Sequence, residues 1–424
     1  MICVVPGNSY LRVTNTLHQH YRLLLGLDES WDVSDVKLEL KEKRVSIALA
    51  HRKGLPVKCP ECGVACTVHD HQPVRTWRHL DTMQFETLIT ARQPRSNCAQ
   101  CSVKLCAVPW AEPHSRFTLL FEVLAIEVLQ ACGNIDAASQ LLGIDWKSLQ
   151  TVMERAVERG LLTRDLSETT QLGMDEKAQG KGHDYVTVLT DLSQRRVLEV
   201  TPGRDEKAAN SAWECVEEVA AQITGVALDM WAAYAKAAET HAPQAVIVHD
   251  RFHLSKHLNQ AVNSVRKQEH AILLKQGDER LTGSRQMWLF NLENLREQDV
   301  EYFNMLKELN LKTARAWGIK ELFRQFWECA STEEASDFFK RWYAWAARCR
   351  LAPVIKVAKS FRKHLPRILS YFQQRITNAM SEGFNSKIQQ LKHAARGFRN
   401  FANFRIRILF FCGKLQLLPP EASH

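Results

Sequence analysis

Several features are missing from this chain of 424 residues, and each absence removes a class of function. No basic segment leads into an apolar one at Met-Ile-Cys-Val-Val-Pro-Gly, so secretory export is not expected. No uninterrupted apolar run reaches membrane-spanning length. The longest, Phe117 to Cys132, is broken by Glu122 and Glu127 and predicts an amphipathic helix. The expectation is a cytoplasmic protein with no membrane partner. Internal repeats and low-complexity tracts are also absent, which excludes solenoid and collagen-like architectures. No Ser-His-Asp arrangement stands out. Gly180-Lys181-Gly182 is not a phosphate-binding P-loop, because Gly173 stands at the wrong spacing upstream and no Ser or Thr follows the lysine.

What is present fits an ordinary globular protein. Hydrophobic residues make up 45% and charged residues 24%, with length enough for two or three domains. Lys and Arg total 56 against 47 Asp and Glu, a net charge of +9. That excess is compatible with a polyanionic partner without proving one. The twelve cysteines are not expected to form a disulfide framework in a reducing compartment, where paired cysteines more often bind metal. Two pairs have the right form, Cys59-Pro-Glu-Cys62 and Cys98-Ala-Gln-Cys101. A C-x-x-C turn sets two thiolates at the angle of a tetrahedral zinc, and two such turns close a four-cysteine structural site. Unrelated buried thiols are the competing reading. Cys66, Cys106, His69, His71 and His79 lie nearby and are taken as spectators. Residues 36–50 alternate as a hairpin ahead of the first pair, and Gln84 to Thr90 is extended in the gap between the pairs.

Three helices follow. Phe117 to Ala131 is the first, and Asp136 to Leu142 is short and ends at Gly143, as in a helix-turn-helix. Asp145 can cap the third, Trp146 to Glu158, whose Trp146, Lys147, Ser148 and Gln150 are placed to face a DNA groove. Helix, Gly turn, helix is also common in bundles that never meet DNA.

From residue 170 the pattern becomes β-β-β-α-β-α-β-α. The strands are Thr170 to Lys177, Tyr185 to Thr190, Arg196 to Thr201, Val226 to Asp229 and Ala245 to Asp250. The helices are Asp205 to Gln222, Trp231 to His241 and a long one from near Phe252. This is the ribonuclease-H order, in which the first and fourth strands are neighbours, so Asp175 and Asp229 are expected side by side. Two close carboxylates repel unless a cation joins them, and hard oxygen ligands suit Mg²⁺. Two Mg²⁺ ions about 4 Å apart serve phosphoryl transfer in such sites, and Mn²⁺ can substitute. The bland alternative is a strand-end turn residue, and it is accepted for Asp191, which Ser and Gln follow. Glu176, next to Asp175, points to the opposite face of the sheet.

Near the C-terminus stands Asn378-Ala-Met-Ser-Glu-Gly-Phe-Asn-Ser-Lys387, with Gly397-Phe-Arg-Asn400 beyond it. Together with Met174-Asp-Glu-Lys177, Asp250-Arg-Phe-His253-Leu-x-Lys256, the paired cysteines and the helix-turn-helix, this resembles the ISL-three family of insertion-sequence transposases. The resemblance covers nearly the whole chain. It implies that Asp175, Asp229 and Glu382 form a DDE triad, supported by Asp250 and His253, with Asp250 as the rival to Asp229. A Glu early in a helix is otherwise commonly just dipole-stabilised. Lys256, Lys387, Lys392, Arg396 and Arg399 suit a face beside phosphates, though an ordinary basic helix surface reads the same way.

The expected fold is multidomain α/β: a strand-rich zinc-binding domain (1–112), a helix-turn-helix (113–165), a ribonuclease-H-like mixed-sheet core (166–260 and 372–424) and an all-α insertion (261–371). Trp288, Trp317, Trp327, Trp342 and Trp345 lie in that insertion, most of them expected in its core. The expected reaction is Mg²⁺-dependent cleavage at the terminal inverted repeats of a mobile element, then strand transfer into target DNA by a dimer or larger assembly. A catalytically silent DNA-binding regulator and another nuclease of the same fold are the alternatives.

Overall fold

The computed structural model describes residues 17–180, 184–398 and 400–419, without the side chains of 379–382. The chain divides into two compact units, Met1–Thr163 with Gln416–His424, and Arg164–Leu415.

In the first unit, helix α1 (Leu17–Leu24) precedes six strands: β1 (Trp31–Glu39), β2 (Arg44–His51), β3 (Val57–Lys58), β4 (Ala65–Thr82), β5 (Phe85–Cys98) and β6 (Ser102–Leu105). The sheet order is β1-β2-β5-β4-β3, with β6 also on β5. Alternation in β2 turns Val45, Ile47 and Leu49 inward. They meet Trp31, Trp77 and Trp110, whose rings pack edge-to-face at centroid distances of 4.7 and 5.6 Å. The long antiparallel hairpin β4–β5 pairs Thr82 with Phe85 at its tip and Thr67 with Asn97 at its base. Cysteines far apart in sequence therefore return to the same end.

Three helices complete the unit: α2 (Leu119–Cys132), α3 (Ile135–Leu142) and α4 (Trp146–Leu162). Their boundaries follow from local chemistry. Thr118, Asn134 and Asp145 cap the starts, and Gly133 and Gly143 end the first two with φ of 62° and 63°. The two acidic residues of α2 differ in environment. Glu127 is exposed, but Glu122 is wholly buried. It accepts a 2.6 Å hydrogen bond from Ser115 Oγ and is ion-paired with Arg155. Burial pushes the Glu122 carboxyl up, against the pull of Ser115 and Arg155. Glu122→Ala removes a buried carboxylate from Arg155 and from Ser115 Oγ, while the partly exposed Arg155 keeps Glu112, so the cost is about 1–3 kcal/mol. A melting curve of the variant should show that loss. An unchanged transition would mean that Arg155, which also meets Glu112 at 3.5 Å, is satisfied without Glu122.

The second unit is built on β7 (Gln171–Ala178), β8 (Tyr185–Asp191), β9 (Arg196–Pro202), β10 (Gly225–Leu228) and β11 (Val246–His249), in the order β11-β10-β7-β8-β9. The first three strands are antiparallel, and β10 lies parallel to both β7 and β11. That is the expected ribonuclease-H arrangement. Between β9 and β10, helix α5 (Glu206–Trp213) gives way to a 3₁₀ helix over Glu214–Gln222, where one continuous α-helix was expected. The apolar residues explain the tighter winding. Trp213, Val216 and Val219 recur every three residues and all join the core beneath the sheet.

Helix α6 (Ala232–His241) joins β10 to β11, and α7 (Arg251–Lys275) leaves the sheet. A helical body follows: α8 (Arg285–Leu289), α9 (Glu297–Glu308), α10 (Lys312–Arg324), α11 (Thr332–Arg348), α12 (Ala352–Lys363) and α13 (Leu365–Leu369). Its core joins Leu254, Leu258 and Val262 of α7 to Phe303, Phe323 and Phe361. Trp288 and Trp342 are buried in it, Trp317 and Trp327 are half-buried, and Trp345 is exposed. Helices α14 (Ala379–Ala394) and α15 (Phe401–Cys412) close the chain back onto the sheet, where Arg405 of α15 pairs with Glu199 of β9 at 2.6 Å. Among the described residues, no helix is long and apolar enough to cross a membrane.

Candidate active site

Strand register brings the two aspartates together. Leu228 of β10 pairs with Met174 of β7 in a parallel ladder, so Asp229 emerges beside Asp175. The imidazole of His253, near the start of α7, lies between them. Its Nδ1 is 3.2 Å from Asp229 Oδ2 and its Nε2 3.5 Å from Asp175 Oδ1. Asp175 and His253 are each only 6% exposed, so water screens these charges weakly. Burial alone would lower the basicity of the imidazole, but hydrogen bonds and charge from both carboxylates raise it to about 10. Burial would likewise raise both carboxyls, yet His253 outweighs it and holds them below their ordinary value.

Asp250 does different work. It is buried and caps α7, accepting from the Phe252 N–H at 3.4 Å and from the Asn378 N–H. Burial raises its carboxyl despite His253 and these donors. As a helix cap it fixes where α7 begins, and hence where His253 stands three residues later.

A second helix reaches the same place. On α14, Asn385 donates from Nδ2 to Asp175 Oδ2 at 2.7 Å, and Lys392 donates from Nζ to the Ala178 carbonyl at 3.0 Å. Asn378, at the head of α14, is buried against Gly173, where a Cβ would fall 2.4 Å from Asn378 Oδ1 and 2.6 Å from Thr190 Oγ1. Residues 378, 385 and 392 recur every seven positions, two helical turns apart, so one stripe of α14 is seated along β7. Position 382 falls on that stripe. The side chain of Glu382 lies outside the described residues, as does Arg399. Asn385 and Gly173 were not singled out from the sequence, although the seven-residue spacing was there to be read. Gly173→Ala is expected to push Asn378 aside and cost about 1–3 kcal/mol of stability. A melt indistinguishable from wild type would show that α14 can shift without strain.

The sequence-predicted DNA contacts divide. Trp146 and Lys147 are exposed at the start of α4, but Ser148 and Gln150 are buried. Ser148 Oγ donates to Asp145 at 2.6 Å as part of the helix cap, and Gln150 pairs with Glu154 at 3.0 Å. Both positions lie on the inner face with Leu149, Val152 and Met153, so their expectation as groove-facing residues is corrected. Lys256 and Lys387 are exposed, the latter over the Phe411 ring, whereas Lys392 is spent on its β7 carbonyl.

At the base of the β4–β5 hairpin, the sulfurs of Cys59, Cys62, Cys98 and Cys101 all lie within 4.8 Å of one another. Cys62 and Cys98 are 3.6 Å apart, close to the edge of a tetrahedron with sulfurs about 2.3 Å from zinc. N–H groups of Cys101 and Gln100 hold the Cys98 thiol down to about 6, while Cys62 and burial push Cys101 up to about 12. Adjacent thiolates repel, and a bound cation lets all four ionise together. This donor set fits structural zinc. Cys66 donates instead to the Val64 carbonyl at 3.3 Å, and His79 pairs with Thr118 at 2.9 Å.

Comparison with known proteins agrees with this division of labour. A zinc-finger model of the transposases of IS204, IS1001, IS1096 and IS1165 matches residues 55–101. The helix-turn-helix domain of transposase family ISL3 matches 106–157, and the ISL3 DDE transposase model matches 172–408. The transposase for insertion sequence element IS1001 of Bordetella parapertussis is 27% identical over 82% of this chain and 87% of its own length. That for IS1557 of Mycobacterium tuberculosis is 25% identical over 95% of this chain and 98% of its own. With its catalytic-domain match spanning more than half the sequence, the chain belongs to the ISL3 family of DDE transposases.

Proposed function

We propose that Asp175, Asp229 and Glu382 are the carboxylates with which this transposase cuts DNA at the ends of its element and joins the freed 3′ end to a target. The convergence of Asp175 and Asp229 on one buried imidazole carries the reading. Their oxygens form a hard donor set that suits Mg²⁺ or Mn²⁺. When bound, a pair of such ions activates the attacking oxygen and steadies the charge on the leaving 3′ oxygen. The chain's own residues supply the rest. His253 spaces the two carboxylates, Asp250 sets the start of α7, and Asn385 orients Asp175. Position 382 brings the third acid along the stripe of α14 that Asn378, Asn385 and Lys392 seat.

The proposed division is a zinc-binding domain over 1–112, a helix-turn-helix over 113–165, a core over 166–260 and 372–424, and an insertion over 261–371. Trp146 and Lys147 are assigned to reading the inverted repeats, and Lys256 and Lys387 to phosphates near the site. Two ends must be handled together, so a dimer or larger assembly is proposed. The test is cleavage of a labelled duplex bearing the element's own end, with and without Mg²⁺, offered singly and as paired ends. Binding without cutting in every format would favour a silent regulator.

A further inference from the structure

The outer face of α7 lines a groove that the carboxylate chemistry does not use. One cavity of about 450 Å³ is bordered by Arg251, Ser255 and Asn259, spaced along a single helical stripe, with Phe290 and Trp327 opposite. A second, of about 230 Å³, shares Ser255 and Asn259 and adds Phe252, Lys256 and Arg285. The two meet along a shared border of Ser255, Asn259 and Leu289 and are treated together as one groove.

Its lining combines three features. Arg251, Lys256 and Arg285 are exposed and form no ion pair among the described residues, whereas Arg324 nearby is tied to Glu293 and Glu321. Among the described residues, Glu328 is the single acid bordering either cavity. Phe252 and Phe290 leave 42% and 47% of their surface open, although an exposed ring gains nothing from water. The Oδ1 of Asn259, which borders both cavities, is buried with no hydrogen-bond partner among the described residues. Trp327 forms a firm wall, its ring edge-on to Tyr371 at 5.1 Å. The groove also starts beside the chemistry, since the Phe252 ring stands 5.7 Å from that of His253.

We infer that this groove holds an unpaired DNA strand next to the bond being cut, with phosphates on Arg251, Lys256 and Arg285 and bases on Phe290 and Phe252. The inference rests on the proposed transposase reading. A duplex keeps its bases stacked inside and offers mainly phosphates along its flanks, so it would use the cations but waste the rings. An unpaired strand uses cations and rings together: the phosphates find charge and the bases find open aromatic faces.

The test measures anisotropy of a labelled oligothymidylate of about eight nucleotides on the full-length, zinc-loaded protein. A blunt duplex carrying the element's end serves as the second ligand. Phe290→Ala is expected to weaken oligothymidylate binding about tenfold and to leave duplex binding unchanged, whereas Arg285→Ala should weaken the binding of both. An abasic strand of equal length, which loses the contacts with both rings, should bind wild type at least as weakly as oligothymidylate binds Phe290→Ala. Equal binding of abasic and thymidine strands, or no effect of Phe290→Ala, would overturn the inference. Failure of the transposase reading is seen separately, as loss of binding and cutting of the end duplex by the wild type.

Discussion

Asp175→Asn and Asp229→Asn should each lower strand cleavage at the element's end by about 10³-fold or more, with binding of that end preserved. Asparagine keeps the shape of the side chain but removes the charge on which a hard cation depends, a loss worth several kcal/mol in the transition state. Neither change should unfold the protein, since His253 contacts both acids and keeps a carboxylate partner when either is neutralised. Asp250 supplies the contrast. Asp250→Ala removes the cap of α7, which should cost about 1 kcal/mol of stability and reduce cleavage far less. Asp250→Asn should be milder still, because asparagine caps nearly as well as aspartate. If Asp250→Asn silenced cutting while Asp229→Asn kept it, the second carboxylate would be Asp250.

Why these residues could be found in advance, and others could not, follows from the range of the forces that place them. The β-branched runs and the turn at Asp191 are local signals, so the five strands and their order were legible. Strand order alone then put Asp175 beside Asp229 before any contact was known. The burial of Glu122 was not legible, because its partners Ser115 and Arg155 come from separate elements. Ser148 and Gln150 failed for a related reason. A helix start was read correctly, but which face of α4 turns inward depends on α2 and α3. Asn385 stands between these cases. Its seven-residue relation to Asn378 and Lys392 was visible, while the neighbour that gives the stripe its meaning, β7, lies some two hundred residues earlier in the sequence.

Removing zinc should have a different signature from removing the catalytic metal. The cysteine pairs lie at the base of a long hairpin, and their end of the unit has a small core of its own, made of Cys59, Cys66, Cys98 and Cys101. So little apolar contact cannot hold two turns together, whereas zinc binding in small modules releases about 10–16 kcal/mol. Cys98→Ser should therefore abolish zinc retention, soften the melting of the first unit and weaken recognition of the element's ends. Chelation and selective refilling separate the two metals. Protein stripped of both should recover end binding with zinc alone, and should cut only when Mg²⁺ is added as well. Magnesium alone should restore neither, because hard cations bind thiolates poorly. Full zinc content and an unaltered melt in Cys98→Ser would remove Cys98 from the ligand set and leave Cys66, buried in the same cluster, as its replacement.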